Sequence, residues 1–201
     1  VPERYEGVRR HRVVTAGRLH KQKNHALLLN AFADFSVQYN DYELHIYGEG
    51  ELERELKNHA EKLGIADKVV WHGFCANVRE EIRDARMFVL SSDFEGISNS
   101  MLEALAMGLP TISTDCPIGG AKAYIEPGKS GILVPVGDRQ ALAQAMTRVA
   151  MDDELMERLS VNAARIKDKY SVESIARRFL VAADIRGKMQ DADATEGKDA
   201  I

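Results

Sequence analysis

Three cations lie in a short loop that precedes a helix-forming segment. The loop, residues 17–24, reads GRLHKQKN and carries Arg18, Lys21 and Lys23. Free N–H groups and the helix dipole favour an anion at the start of a helix. A guanidinium grips phosphate oxygens with its planar fork, and an ammonium supplies a point charge. The loop therefore predicts a diphosphate site, and the alternative is a solvated basic loop.

Two glutamates, Glu95 and Glu103, are separated by seven residues in a second loop-to-helix segment. Glu95 adjoins Gly96, which lets the backbone approach a ligand, whereas Glu103 falls within the predicted helix. Carboxylates accept hydrogen bonds from hydroxyls, so one could meet a sugar and the other a ribose diol. Apolar neighbours predict that Glu103 is largely buried with a partner, because a buried unpaired carboxylate is costly. The alternative for Glu103 is a carboxylate on a helix surface.

Short runs rich in β-branched residues alternate with segments of helical period, which is typical of βαβ units around a parallel sheet. Ligands of such sheets bind beyond the carboxyl ends of the strands, so the chemistry is expected in the loops that follow them. From residue 153, three helical segments continue to about residue 185. The predicted strands are residues 12–16, 42–47, 68–72, 87–90, 110–114 and 131–134, and the earlier predicted helices are 24–37, 51–63, 78–84, 100–107 and 138–150.

The chain divides into four predicted parts. Residues 1–11 are expected to be a linker from a missing N-terminal domain, because they lack an initial Met and run through charged sequence. Residues 12–170 form the predicted ligand-binding domain, 171–186 a C-terminal helix and 187–201 a polar, disordered tail. The basic cluster at 9–12 is interpreted as solvated linker, with contact to a membrane or to the missing domain as the alternative.

Composition excludes several classes of protein. Hydrophobic residues make up 45% of the 201 residues and charged residues 29%, an ordinary balance for one globular domain. A net charge of -4 gives no field that would attract nucleic acid, which is not expected as a partner. Cys75 and Cys116 are far apart and favour a reducing cytoplasm over a disulfide framework or a zinc ribbon. The six histidines lack paired ligand spacing apart from His20 and His25, which lie across a loop-helix junction, so no metal site is predicted.

Three competing sites are rejected. The run GKS at 128–130 satisfies a permissive phosphate-loop pattern, but it leads into a strand rather than a helix. The run GEG at 48–50 begins like a dinucleotide fingerprint, but Glu53 occupies the third glycine position. A glycoside hydrolase pair is disfavoured because Glu103 would lie more than one turn inside its helix while Glu95 stays in the loop.

Six short sequence motifs follow one another along the chain: AGRL at 16–19, Lys23, EG at 95–96, EALAMGLP at 103–110, GG at 119–120 and GILVP at 131–135. Together they resemble the C-terminal domain of the retaining GT-B glycosyltransferases called group 1 or family 4, over nearly all of residues 12–180. The resemblance implies an α/β, Rossmann-like fold. Its parallel six-stranded sheet would be flanked by helices and followed by extra C-terminal helices.

The resemblance also implies residue roles. Arg18 and Lys23 would bind the donor diphosphate, Glu95 the hydroxyls of the donor sugar and Glu103 the ribose; Arg18, Lys23 and Glu95 form the expected catalytic set. Other donor-binding positions are Gly17 and Gly96, the backbone N–H groups of Ile97, Ser98 and Asn99, and Phe74 and Val78 in the loop that would hold the base.

The sequence departs from the family pattern at two places. It has Ile97 and Ser98 where many members have Phe-Gly, and Ala123 where a glutamate often follows the double glycine. The sugar specificity therefore stays open.

The implied enzyme is a retaining hexosyltransferase, which transfers a sugar from a nucleoside-diphosphate sugar, with UDP as first choice, to a glycan or lipid-linked acceptor. No metal and no cofactor are expected, because Arg18 and Lys23 would stabilise the leaving diphosphate electrostatically. The acceptor site would belong to the missing N-terminal domain, so this chain alone is expected to bind nucleotide without turnover. The protein is expected in the cytoplasm, with peripheral association of the full-length enzyme at the inner face of the membrane. The alternative is a non-catalytic nucleotide-sugar-binding module.

Overall fold

A parallel sheet forms the centre of the fold. The structure, a computed structural model, describes residues 3–117 and 119–169. The chain divides into two units, residues 1–166 and 167–201, and the sheet belongs to the first. Its strands lie in the order β3-β2-β1-β4-β5-β6, and every neighbouring pair is parallel. In chain order, β1 to β6 are Arg10–Ala16, Glu43–Tyr47, Val69–Gly73, Ala85–Leu90, Thr111–Thr114 and Ile132–Val134. The predicted six-stranded α/β fold is confirmed.

Helices cover both faces of this sheet. One face packs against α1, α2 and α5 through side chains such as Phe32 and Met146, and the other against α3 and α4 through Ile82 and Leu105. A parallel sheet needs apolar cover on both faces, which explains why the interior strands β4 and β5 are buried throughout, whereas the edge strand β3 is fully buried only at Val69. In chain order, α1 to α7 are His25–Ser36, Glu53–Lys62, Val78–Ile82, Asn99–Ala106, Arg139–Met151, Asp153–Ala164 and Ile166–Lys169.

The predicted strands, and the helices up to α5, agree with the structure to within two residues at each end. The strand β4 begins at Ala85 rather than at residue 87, because Arg86 is buried inside it. The Arg86 guanidinium donates to the carbonyls of Val149 (3.0 Å) and Ala150 (3.1 Å) and to Asp153 (2.6 Å). These bonds satisfy the charge of a guanidinium that is buried within a strand.

Arg9 is likewise buried, immediately before β1. Burial lowers the pKa of Arg9 to about 10, so the guanidinium stays charged at neutral pH. The expectation that the cluster at 9–12 is solvated is therefore wrong at Arg9. Its guanidinium donates to the carbonyls of Arg83 (3.1 Å), Ala85 (3.0 Å) and Gly108 (2.8 Å) and to the hydroxyl of Ser160 (3.1 Å).

The helical stretch predicted from residue 153 is represented by α6 and α7 within the described residues. The predicted helix at 171–186 and the predicted disordered tail at 187–201 lie outside them. In the part of the chain that the structure describes, no helix is both long enough and apolar enough to cross a membrane.

The first residue of α1, His25, is a buried titratable group. Its side chain is 3% exposed, and its Nδ1 atom has no hydrogen-bond partner among the described residues. Burial and, as the smaller cause, the positive charge of Lys23 together lower the pKa of His25 to about 4. The folded state therefore holds this imidazole neutral at pH values where the unfolded chain would protonate it.

We predict that His25 makes the protein less stable as the pH falls. Above about pH 6.5, the ordinary pKa of histidine in the unfolded chain, the imidazole is neutral in both states and does not lower the free energy of unfolding. As the pH falls from 6.5 toward 4, the free energy of unfolding decreases progressively, because the unfolded state then binds an extra proton. By pH 4.5 the loss should reach about 2–3 kcal/mol. Urea unfolding of wild type and His25→Phe at pH 7.5, 5.5 and 4.5 should give curves that diverge by this amount. Parallel pH dependences would contradict the assignment.

Candidate functional site

A cleft of about 490 Å³ opens at the carboxyl edge of the sheet, lined by the segments that follow β1, β2, β3 and β4. The strands β1 and β4 are neighbours, and the chain proceeds from β1 toward one edge of the sheet and from β4 toward the other. Connections that leave neighbouring strands in opposite directions leave a crevice between them. The cleft lies at this point.

Backbone contacts hold the loop after β1 against the loop after β2. The Gly17 N–H donates to the Tyr47 carbonyl (2.9 Å), and the Leu19 N–H donates to the Glu49 carbonyl (2.9 Å). Gly48 has a φ of 135°, and a Cβ there would lie 2.0 Å from the Gly17 carbonyl oxygen. Close backbone packing therefore explains the glycine at position 48.

Lys23 and Glu95 form an ion pair in the cleft, which both residues line. Their side chains are 16% and 12% exposed. Ser92 donates its hydroxyl to the same Glu95 oxygen that Lys23 contacts (3.1 Å), and Gln22 donates its amide to the other oxygen (3.3 Å). Charge-assisted bonds of this kind are strong when water is partly excluded. Three donors thus fix the carboxylate in one orientation.

Arg18 also lines the cleft, and its residue is exposed. Its guanidinium makes no hydrogen bond or ion pair with any residue that the structure describes. Of the three cations in this loop, Arg18 and Lys23 line the cleft, whereas Lys21 does not. The charged lining is balanced, since Arg18 and Lys23 are opposed by Glu49 and Glu95. An uncommitted guanidinium is well suited to an anionic ligand.

A helix N-terminus forms one wall of the cleft. Ser98 caps α4 by accepting the Met101 N–H on its hydroxyl (3.4 Å), and residues 97–100 line the cleft. The backbone N–H groups of residues 96–100 donate no hydrogen bond to a described residue. These groups and the positive end of the helix dipole make this wall attractive to phosphate or hydroxyl oxygens.

The opposite wall carries Phe74 and Val78, the two residues predicted to hold a base. Phe74 is 76% exposed, and its N–H donates to the Glu49 carboxylate (3.2 Å). An exposed aromatic ring beside a cleft offers a stacking surface for a planar ligand. Sequence reasoning missed Glu49 and Tyr47, which also line the cleft. Both lie at the end of β2, so the expectation that ligands bind after the strands could have identified them.

Two predicted site residues, Gly96 and Glu103, do not line the cleft. Gly96 is the neighbour of two residues that do, Glu95 and Ile97, whereas Glu103 is further along the chain. It lies in the middle of α4, where it is half-buried, and its carboxylate has no hydrogen-bond partner among the described residues. The expectation of a largely buried carboxylate with a partner is therefore wrong. A helix turns by about 100° per residue, so Met101, Ala104 and Leu105 form the apolar face of α4 and Glu103 lies on the side away from it.

No group of three or more His, Cys, Asp or Glu side chains that could hold a metal ion occurs among residues 3–117 and 119–169. Cys75 and Cys116 are free thiols. Cys116 is buried, and its thiol contacts the Ser92 carbonyl at 3.2 Å.

Residues 6–166 match the sequence model of the family described as glycosyl transferases group 1. The chain belongs to this family. It is 32% identical over 172 residues to a protein of Campylobacter jejuni, an N-acetylgalactosamine-N,N'-diacetylbacillosaminyl-diphospho-undecaprenol 4-alpha-N-acetylgalactosaminyltransferase. The aligned region covers 84% of this chain and 46% of that protein. It is 28% identical over 169 residues to the lipopolysaccharide core biosynthesis glycosyltransferase LpsE of Rhizobium meliloti, with shares of 84% and 48%. The group 1 chain thus spans about half the length of these relatives.

Solved structures of glycosyltransferases share the fold. A mutant of S. aureus TarM, in complex with UDP, fondaparinux and alpha-GlcNAc-glycerol, superposes with a TM-score of 0.82 at 24% identity, over 89% of this chain and 36% of that one. The C-terminal domain of the group 1 protein LpcC from Francisella tularensis gives a TM-score of 0.74 at 20% identity, over 84% of this chain and 94% of that one. The resemblance to the C-terminal domain of a GT-B glycosyltransferase is confirmed.

We predict that Gly120 is required for the shape of the cleft. A Cβ at this position would lie 1.4 Å from the Gly96 carbonyl oxygen, so Gly120→Ala must displace the loop before α4. Overpacking of this kind destabilises a protein by about 1–3 kcal/mol. Thermal unfolding should therefore give a lower Tm for Gly120→Ala than for wild type.

The matched control is Gly96→Ala in the same loop. A Cβ on Gly96 would meet nothing within 4 Å, so its Tm should stay near that of wild type. Equal Tm values for the two variants would contradict the predicted contact.

Proposed function

We propose that this chain is the donor-binding domain of a retaining glycosyltransferase that uses a nucleoside-diphosphate sugar, with uridine as the base. The full-length enzyme transfers a hexose, with retention of anomeric configuration, to a glycan or lipid-linked acceptor. The second domain supplies the acceptor site, so the chain alone binds donor without turnover. A lipid-linked acceptor would bring the full-length enzyme to the cytoplasmic face of a membrane.

The unpartnered guanidinium of Arg18 is the observation that carries the proposal. It lines a cleft that also presents the ammonium of Lys23 and the N-terminus of α4. A diphosphate brings negative charges to a lining whose own charges balance, so it needs a cation that no protein group neutralises. Arg18 meets that need, and the unbonded N–H groups of residues 96–100 add donors without a net charge.

The proposed chemistry is electrostatic. When the bond between the sugar and the diphosphate breaks, negative charge develops on the leaving diphosphate, where Arg18 and Lys23 stabilise it. Glu95 orients the donor sugar by accepting hydrogen bonds from its hydroxyls. Its three existing donors, from Lys23, Ser92 and Gln22, hold the carboxylate in place. This scheme requires neither a metal ion nor a cofactor.

Uridine is supported by the similar structures and by the shape of the opposite wall. The TarM complex contains UDP, and a structure of Anabaena HepE is likewise a complex with UDP. The exposed ring of Phe74 provides a planar surface beside the cleft, and Val78 lines the same wall. A base stacked there would place its diphosphate toward the loop that carries Arg18.

We expect Lys23→Ala to weaken the binding of UDP by about 10-fold to 100-fold, because one charge-assisted bond contributes about 1.5–3 kcal/mol. Binding of uridine, which lacks phosphates, should be nearly unchanged. Calorimetric titration of the purified chain with UDP, GDP, ADP and uridine, with and without Mg²⁺, measures both effects and tests metal independence.

Lys57→Ala is the control for this titration. Lys57 is also ion-paired, to Glu53 at 2.6 Å, but it lies on α2 and does not line the cleft. Its removal should leave UDP affinity unchanged. Equal losses of UDP and uridine in Lys23→Ala would contradict the phosphate role, and transfer by the chain alone would contradict the need for a second domain. A wild-type chain that binds none of the nucleotides would refute the donor site in this chain.

Glu103 is assigned to the ribose by the resemblance alone. Its replacement is expected to affect UDP and uridine alike, unlike the replacement of Lys23. We expect Glu103→Ala to weaken UDP and uridine to a similar extent, because both contain the ribose diol. The unfolding free energy should change little, since the carboxylate is half-buried and has no partner among the described residues. Titration of both ligands against this variant measures the effect, and unchanged affinities would remove Glu103 from the site.

A further inference from the structure

Asn24 adopts the left-handed backbone conformation, which is uncommon for residues other than glycine and which asparagine tolerates better than most. Its φ and ψ are 43° and 51°, in the left-handed region. Among the described residues other than glycine, Asn24 alone has a positive φ. Such a conformation is unfavourable for residues with a Cβ and persists where the surroundings enforce it. Asn24 directly follows Lys23, so whatever enforces its conformation also acts on the direction of Lys23.

The Asn24 side chain makes two hydrogen bonds in different directions. Its Oδ1 accepts the Leu27 N–H (3.0 Å), which caps α1, and its Nδ2 donates to Oδ1 of Asp93 (2.6 Å). Aspartate or serine could provide the cap, and glycine could adopt the backbone conformation. An amide supplies the acceptor for Leu27 and the donor for Asp93 together, which explains asparagine at this position.

Further bonds join the same two segments. The Ser91 hydroxyl donates to the Lys23 carbonyl (2.9 Å), and the Asp93 N–H donates to the Gln22 carbonyl (2.9 Å). The segment 22–24 after β1 is therefore tied to the segment 91–93 after β4. Lys23 and Glu95 meet immediately beside these bonds, although they are far apart in sequence.

Neither Asn24 nor Asp93 lines the cleft. Any effect that they have on a ligand must act through the residues they hold. We propose that Asn24 and Asp93 form a positioning latch, which fixes Lys23 against Glu95 and thereby sets the diphosphate end of the donor site. The ligand named in this inference rests on the proposed function, whereas the hydrogen bonds of the latch do not depend on it.

The Asp93 variants separate a hydrogen bond from a charge. Asp93→Ala and Asp93→Asn both remove the carboxylate charge, but only the asparagine keeps an oxygen that can accept from Asn24. We expect Asp93→Ala to weaken UDP binding by about fivefold or more with little change for uridine, and Asp93→Asn to restore most of the loss. Calorimetric titration measures all four affinities. Equal UDP affinities in the two variants would overturn the latch.

Asn24→Gly tests the other partner without backbone strain, because glycine adopts the left-handed conformation freely. It removes both side-chain bonds, including the cap on α1. The control is Asp138→Gly, which removes a matching cap, the bond from the Ala141 N–H to Asp138 (2.8 Å), on α5. Both variants should lower the Tm, but only Asn24→Gly should lower the ratio of UDP affinity to uridine affinity. A retained ratio in Asn24→Gly would count against the latch.

A measurement without nucleotide distinguishes failure of the latch from failure of the proposed function. Lys23→Ala is combined with Asp93→Ala and with Asp93→Asn, and each unfolding free energy is measured by urea denaturation. If the latch positions Lys23 against Glu95, the effect of Lys23→Ala should be smaller in the Asp93→Ala background than in the Asp93→Asn background. Additive effects in both backgrounds would overturn the latch even in a chain that binds UDP. Coupling without UDP binding would support the latch and refute the uridine donor.

Discussion

The pairing of β1 with β4 is the constraint on which the site depends. The strands are separated by two βα units in sequence, yet Val13 pairs with Met87 and Val14 pairs with Phe88. The chain reaches the neighbouring strands on opposite sides of this pair, so the segments after β1 and β4 diverge and leave a crevice. The register is fixed by burial on both faces, since Val13 and Val14 belong to different hydrophobic clusters. A slip by one residue would exchange their clusters and misalign the two loops.

At the carboxyl edge of the sheet, the Lys23–Glu95 pair is more important for the positions of its two charges than for the stability of the fold. Partial burial removes water from both charges, and that desolvation offsets much of their attraction, so the intact pair contributes little net free energy of folding, although removing one partner leaves the other charge unpaired and is destabilising. Its effect is instead to hold an ammonium and a carboxylate in adjacent, defined positions. Arg18 is arranged differently, because its residue is exposed and no described residue holds its guanidinium. A donor would thus meet one preorganised pair and one cation that is ordered by binding, which has an entropic cost.

The sequence predicted the elements well and their contacts less well. Alternating apolar runs and helical periods identified the strands and helices, because burial on both faces of a parallel sheet leaves a strong local pattern. Arg9 was misjudged, because carbonyl groups from distant segments satisfy it and no local pattern reports such partners. The burial of Arg86 was not anticipated for the same reason. Lys23 and Glu95 were both identified as candidates, but their ion pair depends on the register of β1 against β4. The role of Glu49 was missed because its carboxylate accepts the N–H of Phe74, which lies in another loop.

The unusual residues at 97 and 98 can be understood from the structure. Ile97 is 60% exposed, so its side chain is not required by the core and can differ from the phenylalanine expected from the family resemblance without loss of packing. Ser98 is buried and caps α4, a role for which serine is better suited than glycine because its hydroxyl accepts the Met101 N–H. The fold therefore constrains position 98 through the helix that forms one wall of the cleft. Position 97, which also lines the cleft, is left free to vary with the ligand.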